Sequence, residues 1–204
     1  ASVIKSTSGT AINHSNFTVN NADEKKIASL NFNKNPLESG KYLNIVLEAL
    51  NGGSYTNAEN TNLQITSGVN AMAAVNNATV VNNGYIKAES FNASVGMIAT
   101  NNSQAINNGR GSINGIDSSD TSSTTSVSGT IVGMETMIMN TGTKAVNETV
   151  SAKNNGTIKL SAGDNTNTSN EVKVNLIGMG SYLDDGFLNN SKNIQRADKA
   201  YLEN

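Results

Sequence analysis

One spacing recurs along this chain and constrains its fold more than any other feature. A small residue followed by methionine occurs four times, an asparagine pair follows each of these methionines, and an isoleucine follows each pair. The pair begins ten residues after three of the methionines and twenty residues after the other. A unit that recurs about every 25 residues, with some copies lengthened, predicts a solenoid of stacked layers. The methionines are Met72, Met97, Met134 and Met179, the pairs begin at Asn82, Asn107, Asn154 and Asn189, and the isoleucines are Ile86, Ile113, Ile158 and Ile194.

Polar segments lengthen the repeat at particular points. Residues 117–129 and residues 163–171 each lie between an isoleucine and the next methionine. A further insertion of about ten residues lies between Met134 and Asn154. Insertions at a fixed point of a repeat form loops on one face of a solenoid. We therefore expect exposed loops at these places, and we expect any binding function to reside in them.

Residue types favour strands over helices within each unit. Asparagine, glycine, threonine and valine are poor helix formers, and short apolar segments such as residues 156–160 alternate with Asn-Gly steps. The sequence therefore predicts an all-β fold, a right-handed parallel β-helix with three short strands per coil, roughly 25 residues per coil and loop insertions. Equivalent asparagines of successive coils would hydrogen bond in ladders, and the methionines would stack in the core.

An antiparallel β-sandwich is the alternative, because Asn-Gly is also the strongest local signal for a hairpin turn. A hairpin protein, however, has no reason to repeat methionine, asparagine and isoleucine at fixed offsets. The repeat therefore favours the β-helix. At one coil per 25 residues, the 204 residues of the chain would give about eight coils and a rod about 40 Å long.

The repeat divides the chain into two regions. Residues 66–204 carry it, and we expect this β-helix to continue beyond this piece of chain. Residues 1–65 are less regular and predict irregular N-terminal coils or a cap. Short helices within residues 21–30 and 36–50 are one interpretation, and a strand over residues 41–50 that faces the core is the alternative for the second segment.

Charge and cysteine content exclude several classes of function. The chain has 14 basic and 16 acidic residues, a formal net charge of −2 and no basic cluster, so we expect no nucleic-acid partner. Because there is no cysteine, disulfides and thiolate metal sites are excluded. The chain has 35 asparagines but one proline and little net charge, which is unlike disordered chains.

The repeat units resemble a known family. Units such as "AINNGRGSINGI" (residues 105–116) and "KNNGTIKLSAGD" (residues 153–164) are similar to the passenger domains of type V autotransporters, in particular those of large fusobacterial outer-membrane adhesins. The resemblance covers about residues 66–195. It implies a β-helical stalk on the surface of a Gram-negative bacterium that attaches to a host cell-surface protein or glycan, or to partner bacteria. It also implies membrane attachment through a C-terminal barrel that this sequence does not contain. We expect no cofactor.

Five aspartates are the candidate site residues. We interpret them as solvated loop carboxylates that contact a binding partner, with calcium binding at Asp164 or at the 184–185 pair as an alternative. A β-helical polysaccharide lyase or glycosidase is the alternative function, and a glycosidase needs two carboxylates about 5–10 Å apart. Adjacent aspartates on a strand point to opposite faces, so the 184–185 pair is a poor catalytic dyad. The candidates are Asp117, Asp120, Asp164, Asp184 and Asp185.

Nothing else in the sequence points to an enzyme. His14 is the single histidine, and it lies in a polar segment. The chain also contains no Gly-x-Ser-x-Gly motif, which would mark a catalytic serine. We therefore predict no catalytic residue and no metal site. A vacuolating-type toxin passenger is a third hypothesis, for which we would expect an apolar insertion segment.

Overall fold

A computed structural model describes residues 2–19, 44–66, 69–89, 93–117, 127–138, 147–162, 172–183 and 198–204. Within these residues there are seventeen strands and no helix, and the strands form three parallel sheets. The described chain is therefore a parallel β-helix, and the predicted all-β fold with three strands per coil is confirmed. The predicted right-handed sense of the coil stays a prediction.

Each coil contributes one strand to each sheet, and we name the sheets A, B and C in chain order. Sheet A contains β1 (Ser2–Thr7), β4 (Asn44–Leu50), β7 (Val69–Val75), β10 (Ala93–Thr100), β13 (Val127–Ile138) and β16 (Val172–Leu183). Sheet B contains β2 (Thr10–Asn13), β5 (Ser54–Asn57), β8 (Thr79–Asn82), β11 (Gln104–Asn107), β14 (Thr149–Asn154) and β17 (Lys199–Glu203). Sheet C contains β3 (Phe17–Val19), β6 (Asn62–Ile65), β9 (Tyr85–Glu89), β12 (Ser112–Asp117) and β15 (Thr157–Ala162).

The methionines that defined the repeat stack directly on one another. Met97 pairs with Met72 on one side and with Met134 on the other, and Met134 pairs with Met179. The first three are fully buried in the core. Leu47 occupies the same position one coil earlier. The methionines are therefore core residues, as predicted, because a flexible apolar side chain fills the interior at each layer.

The repeated isoleucines form a second core column. Ile113 pairs with Ile86 and with Ile158 across sheet C, and Leu63 precedes them one coil earlier. Residues of β5, β8 and β14 alternate between buried and partly exposed, as expected for strands with one face toward a core. These columns fix the register of every coil.

The first coils belong to the same stack as the later ones. Strand β4 (Asn44–Leu50) pairs with β1 and β7, so the strand interpretation of this segment is confirmed and the helix interpretation is wrong for residues 44–50. Residues 20–43 lie outside the described part, and so does the predicted helix within 21–30. The three sheets continue across residue 65 without a change of register.

The described stack is shorter than the eight coils expected from length. Sheets A and B each have six described strands and sheet C has five. At about 4.8 Å per strand, the six strands of sheet A span about 24 Å from first to last. The estimate of eight coils was wrong because it gave every coil the length of the shortest ones.

Candidate functional site

An asparagine ladder fixes the corner between sheets B and C. Each member except the last donates from Nδ2 to Oδ1 of its equivalent in the next coil at 2.8 to 3.0 Å. The ladder members that precede the last one are 0 to 7 % exposed. Their buried amides therefore have partners, which a buried polar group needs. The members are Asn13, Asn57, Asn82, Asn107, Asn154 and Asn204.

The Asn-Gly step at this corner is a turn between parallel sheets and not a hairpin. Asn155 donates from its backbone amide to the carbonyl of Asn107 in the previous coil at 2.8 Å. The amide of Gly156 donates to Oδ1 of Asn154 at 3.3 Å. The turn is therefore stabilised by a hydrogen bond to the previous coil and by a hydrogen bond to the asparagine ladder.

One predicted ladder position is wrong. The partner of Asn154 in the last described coil is Asn204, at 2.8 Å and 50 residues along the chain, and β17 pairs with β14 up to Glu203. The pair beginning at Asn189 lies outside the described residues. The error arose because the pair was expected ten residues after Met179, as Asn82 lies ten residues after Met72, whereas Asn204 lies 25 residues after Met179.

The predicted loops fall between strands of different sheets, at two corners of the coil. Residues 118–126 and 163–171 both connect sheet C to sheet A, and residues 139–146 connect β13 to β14. The predicted bounds of the first segment were too wide, because residue 117 belongs to β12 and residues 127–129 belong to β13. Residues 118–126, 139–146 and 163–171 lie outside the described part. Strands β12 and β15 are paired to their last residues, so two of these segments follow strand ends that lie next to each other.

The candidate aspartates have different outcomes. The backbone of Asp117 ends strand β12 and is paired with that of Ala162. The other four lie outside the described residues, so their interpretation as loop carboxylates stays a prediction: Asp120, Asp164, Asp184 and Asp185. His14 is exposed on the turn between β2 and β3.

The corner between sheets A and B uses left-handed asparagines. Asn51, Asn76 and Asn101 have φ values of 51°, 59° and 51°, a conformation that asparagine tolerates better than most residues. Their amides and carbonyls link successive coils, as in the bond from the amide of Asn51 to the carbonyl of Val75 at 3.1 Å. Left-handed asparagines therefore form this corner in three successive coils.

Two acidic residues that the sequence did not predict accept hydrogen bonds from backbone amides at this corner in the last coils. Glu148, 2 % exposed, accepts a hydrogen bond at Oε1 from the amide of Asn101 at 2.7 Å. One coil later, Oδ1 of Asp198 accepts from the amide of Glu148 at 2.7 Å. These carboxylates, which lie at the start of the described segments that follow residues 139–146 and 184–197, supply acceptors for backbone amides. No sequence motif signals this role, because it depends on the neighbouring coil.

The outer face of sheet C is the described surface best suited to contact a polar partner. Gln64, Lys87, Asn114 and Lys159 form one column across four strands. Tyr85 lies in the next column and is 43 % exposed. Residues between these columns, such as those at 63, 86 and 113, are buried in the core. The face is therefore a rigid array of amides, ammonium groups and one aromatic ring.

The outer face of sheet A differs from the other two because its residues on β4, β7, β10 and β13 are buried. Its residues form an apolar cluster separate from the main core. Glu135 lies on this face and is 7 % exposed, and burial raises its pKa to about 7. The cluster comprises Ile45, Ala73, Val95, Ile98, Val132 and Met137.

Two further tests concern cofactors and membranes. Among the described residues, no three His, Cys, Asp or Glu side chains are grouped so that they could bind a metal ion. The described part of the chain also has no helix that could span a membrane.

Comparison of the chain with protein-family models, with curated proteins and with solved structures gave no match.

Proposed function

We propose that this chain is a segment of a β-helical stalk on a bacterial cell surface, and that it presents loops for attachment to host cells or to partner bacteria. The observation that carries the proposal is the constancy of the core while the coils change length. Successive ladder asparagines are 44, 25, 25, 47 and 50 residues apart, yet each pair is hydrogen bonded.

This constancy is what a display scaffold requires. The intervals of 47 and 50 residues contain the inserted segments, which join strands at two corners of the coil. The strands before and after these segments keep their register. Loops of different length and sequence can therefore change without disturbing the stack. The resemblance to autotransporter passengers supports placement on the outer surface of a Gram-negative bacterium, with a host surface protein, a glycan or another bacterium as partner.

Binding of the purified chain to host epithelial cells and to other bacteria tests the proposal. Residues 118–126 and residues 163–171 are each replaced by Gly-Ser segments of the same length. We expect both variants to keep the circular dichroism spectrum and unfolding temperature of the native chain, and at least one to bind cells several-fold more weakly. Thr79→Ala, on the outer face of sheet B, is the matched control and should bind normally.

The alternative, a β-helical carbohydrate-active enzyme, is tested with the same samples. Incubation with polysaccharides should release no oligosaccharides if the chain is a stalk. Cleavage that disappears in Asp184→Asn or Asp185→Asn would establish the enzyme instead. A native chain that binds no cell type, while remaining folded, would argue against attachment.

A further inference from the structure

Glu135 is an acidic residue in an apolar environment. It lies on the buried outer face of sheet A, with Met137 two residues along its own strand. Pairing places Ile98 of β10 on one side of it and Gly180 of β16 on the other. A buried carboxylate is costly unless it is paired or neutral. The position therefore disfavours the ionised carboxylate.

A tyrosine ring covers the glycine beside Glu135. A Cβ atom at Gly180 would lie 2.6 Å from both Cε2 and the phenolic oxygen of Tyr182. The ring thus occupies the space in front of Gly180, directly next to the Glu135 position. Tyr182 is 36 % exposed, so this ring contacts solvent on one side and covers Gly180, the neighbour of Glu135, on the other.

A second buried polar group on this face lacks a partner. Oγ1 of Thr100 is buried and has no hydrogen bond among the described residues. Thr100 pairs with Met137, which in turn pairs with Tyr182. The face therefore contains an unsatisfied hydroxyl one column from Glu135, and water that entered would find a polar group to bind.

No basic side chain on the neighbouring described strands faces Glu135. Residues 93–100 of β10 contain no charged residue, and Glu135 is the only charged residue of β13. Lys173 lies toward the other end of β16. Glu48 lies in the same column as Glu135, three strands away. Its carboxylate forms an ion pair with Nζ of Lys5 at 3.5 Å. An ionised Glu135 would therefore have no described cation to compensate it.

The charge state of Glu135 changes near neutral pH. Burial raises its pKa from the ordinary 4.5 to about 7. The pKa of Tyr182 is also raised, first by burial and then by the charge of Glu135. This second effect is consistent with the close placement of the two groups.

We propose that Glu135 and Tyr182 form a proton-controlled latch on the outer face of sheet A. The neutral carboxyl keeps the tyrosine ring packed over Gly180. The ionised carboxylate requires water, and hydration displaces the ring and opens the end of strand β16. The stalk would then carry a surface that is closed in mildly acidic surroundings and open in alkaline ones.

Hydrogen exchange measured at pH 5.5 and pH 8.5 tests the latch, with rates corrected for the intrinsic effect of pH. We expect protection of residues 172–183 to fall about tenfold or more between the two values, while strand β7 (Val69–Val75) is unchanged. Glu135→Gln should keep high protection at both values. Tyr182→Phe keeps the ring and should retain the pH dependence, and Glu48→Gln should behave as the native chain.

Carboxyl carbon NMR of the native chain provides a measurement that does not depend on a variant. One glutamate should titrate near neutral pH, and Tyr182 ring signals should shift over the same range. The proposal is overturned if native protection is equal at both pH values, if Glu135→Gln keeps the fall in protection, or if no glutamate titrates above its ordinary range.

Discussion

Nδ2 of Asn82 donates to Oδ1 of Asn107 at 2.9 Å, and the two residues are 25 positions apart. Nδ2 of Asn107 in turn donates to Oδ1 of Asn154 at 2.8 Å and to the carbonyl of Gly111 at 3.2 Å. Each amide in the ladder therefore acts as acceptor toward one coil and as donor toward the next. A carboxylate can perform the first role but not the second.

Asn107→Asp should destabilise the stack by about 3 kcal/mol, because it removes the donors to Asn154 and Gly111 at a fully buried position. Urea unfolding at neutral pH measures the loss. Asn108→Asp makes the same chemical change at the exposed neighbouring residue and should have little effect. Equal loss in both variants would mean that the ladder does not stabilise the fold.

Met97→Ala should cost about 2–5 kcal/mol, because it leaves a cavity between Met72 and Met134 in the core. Met97→Leu nearly conserves volume and should cost less than about 1.5 kcal/mol. Thermal unfolding of the two variants provides the comparison. A small effect of the alanine variant would show that the methionine column is loosely packed.

Gly133→Ala tests why a small residue precedes each methionine. A Cβ at Gly133 would lie 2.6 Å from the carbonyl oxygen of Gly178 and 2.8 Å from a methyl group of Ile158, whereas a Cβ at Gly178 would contact nothing within 4 Å. We expect Gly133→Ala to cost about 1–3 kcal/mol and Gly178→Ala to be nearly neutral. Urea midpoints measure both, and similar midpoints would contradict the close approach.

Glu148→Ala should cost about 1–3 kcal/mol, because the amide of Asn101 loses the carboxylate that it contacts at 2.7 Å. Glu148→Gln keeps a side-chain acceptor and should lose much less. Exchange of the Asn101 amide proton, followed by NMR, reports on the bond directly. Unchanged protection in the alanine variant would show that water replaces the carboxylate at no cost.

The core columns could be predicted from the sequence because the stack places one residue type at one position in every coil. Met72, Met97 and Met134 repeat for this reason, and so do Asn82 and Asn107. The sequence predicts the first coils only as irregular coils or a cap, because Leu47 takes the methionine position there. Their ladder member at position 57 also lacks a second asparagine beside it.

Other features depend on contacts that no local pattern records. The last ladder position could not be located, because the length of the segment before Asn204 is not fixed by the core. The bond from Asn101 to Glu148 joins residues of different coils and leaves no motif. The buried outer face of sheet A did have a signal, since residues 69–75 are apolar at nearly every position, a pattern typical of strands covered on both faces.

The free energy of unfolding should fall as pH rises through neutrality, because of Glu135. Below pH 4.5 the carboxyl is protonated in both the folded and the unfolded chain, so it does not lower the free energy of unfolding. Between pH 4.5 and about 7 the folded chain holds a proton that the unfolded chain releases, so stability falls with rising pH. Above pH 7 the loss is complete and amounts to at most about 3 kcal/mol. Glu135→Gln removes this dependence, so urea midpoints of the variant and the native chain should diverge between pH 5 and pH 8. Glu59→Gln, an exposed residue paired with Arg110, is the control and should follow the native curve; parallel curves for Glu135→Gln and the native chain would show that Glu135 is ionised throughout this range.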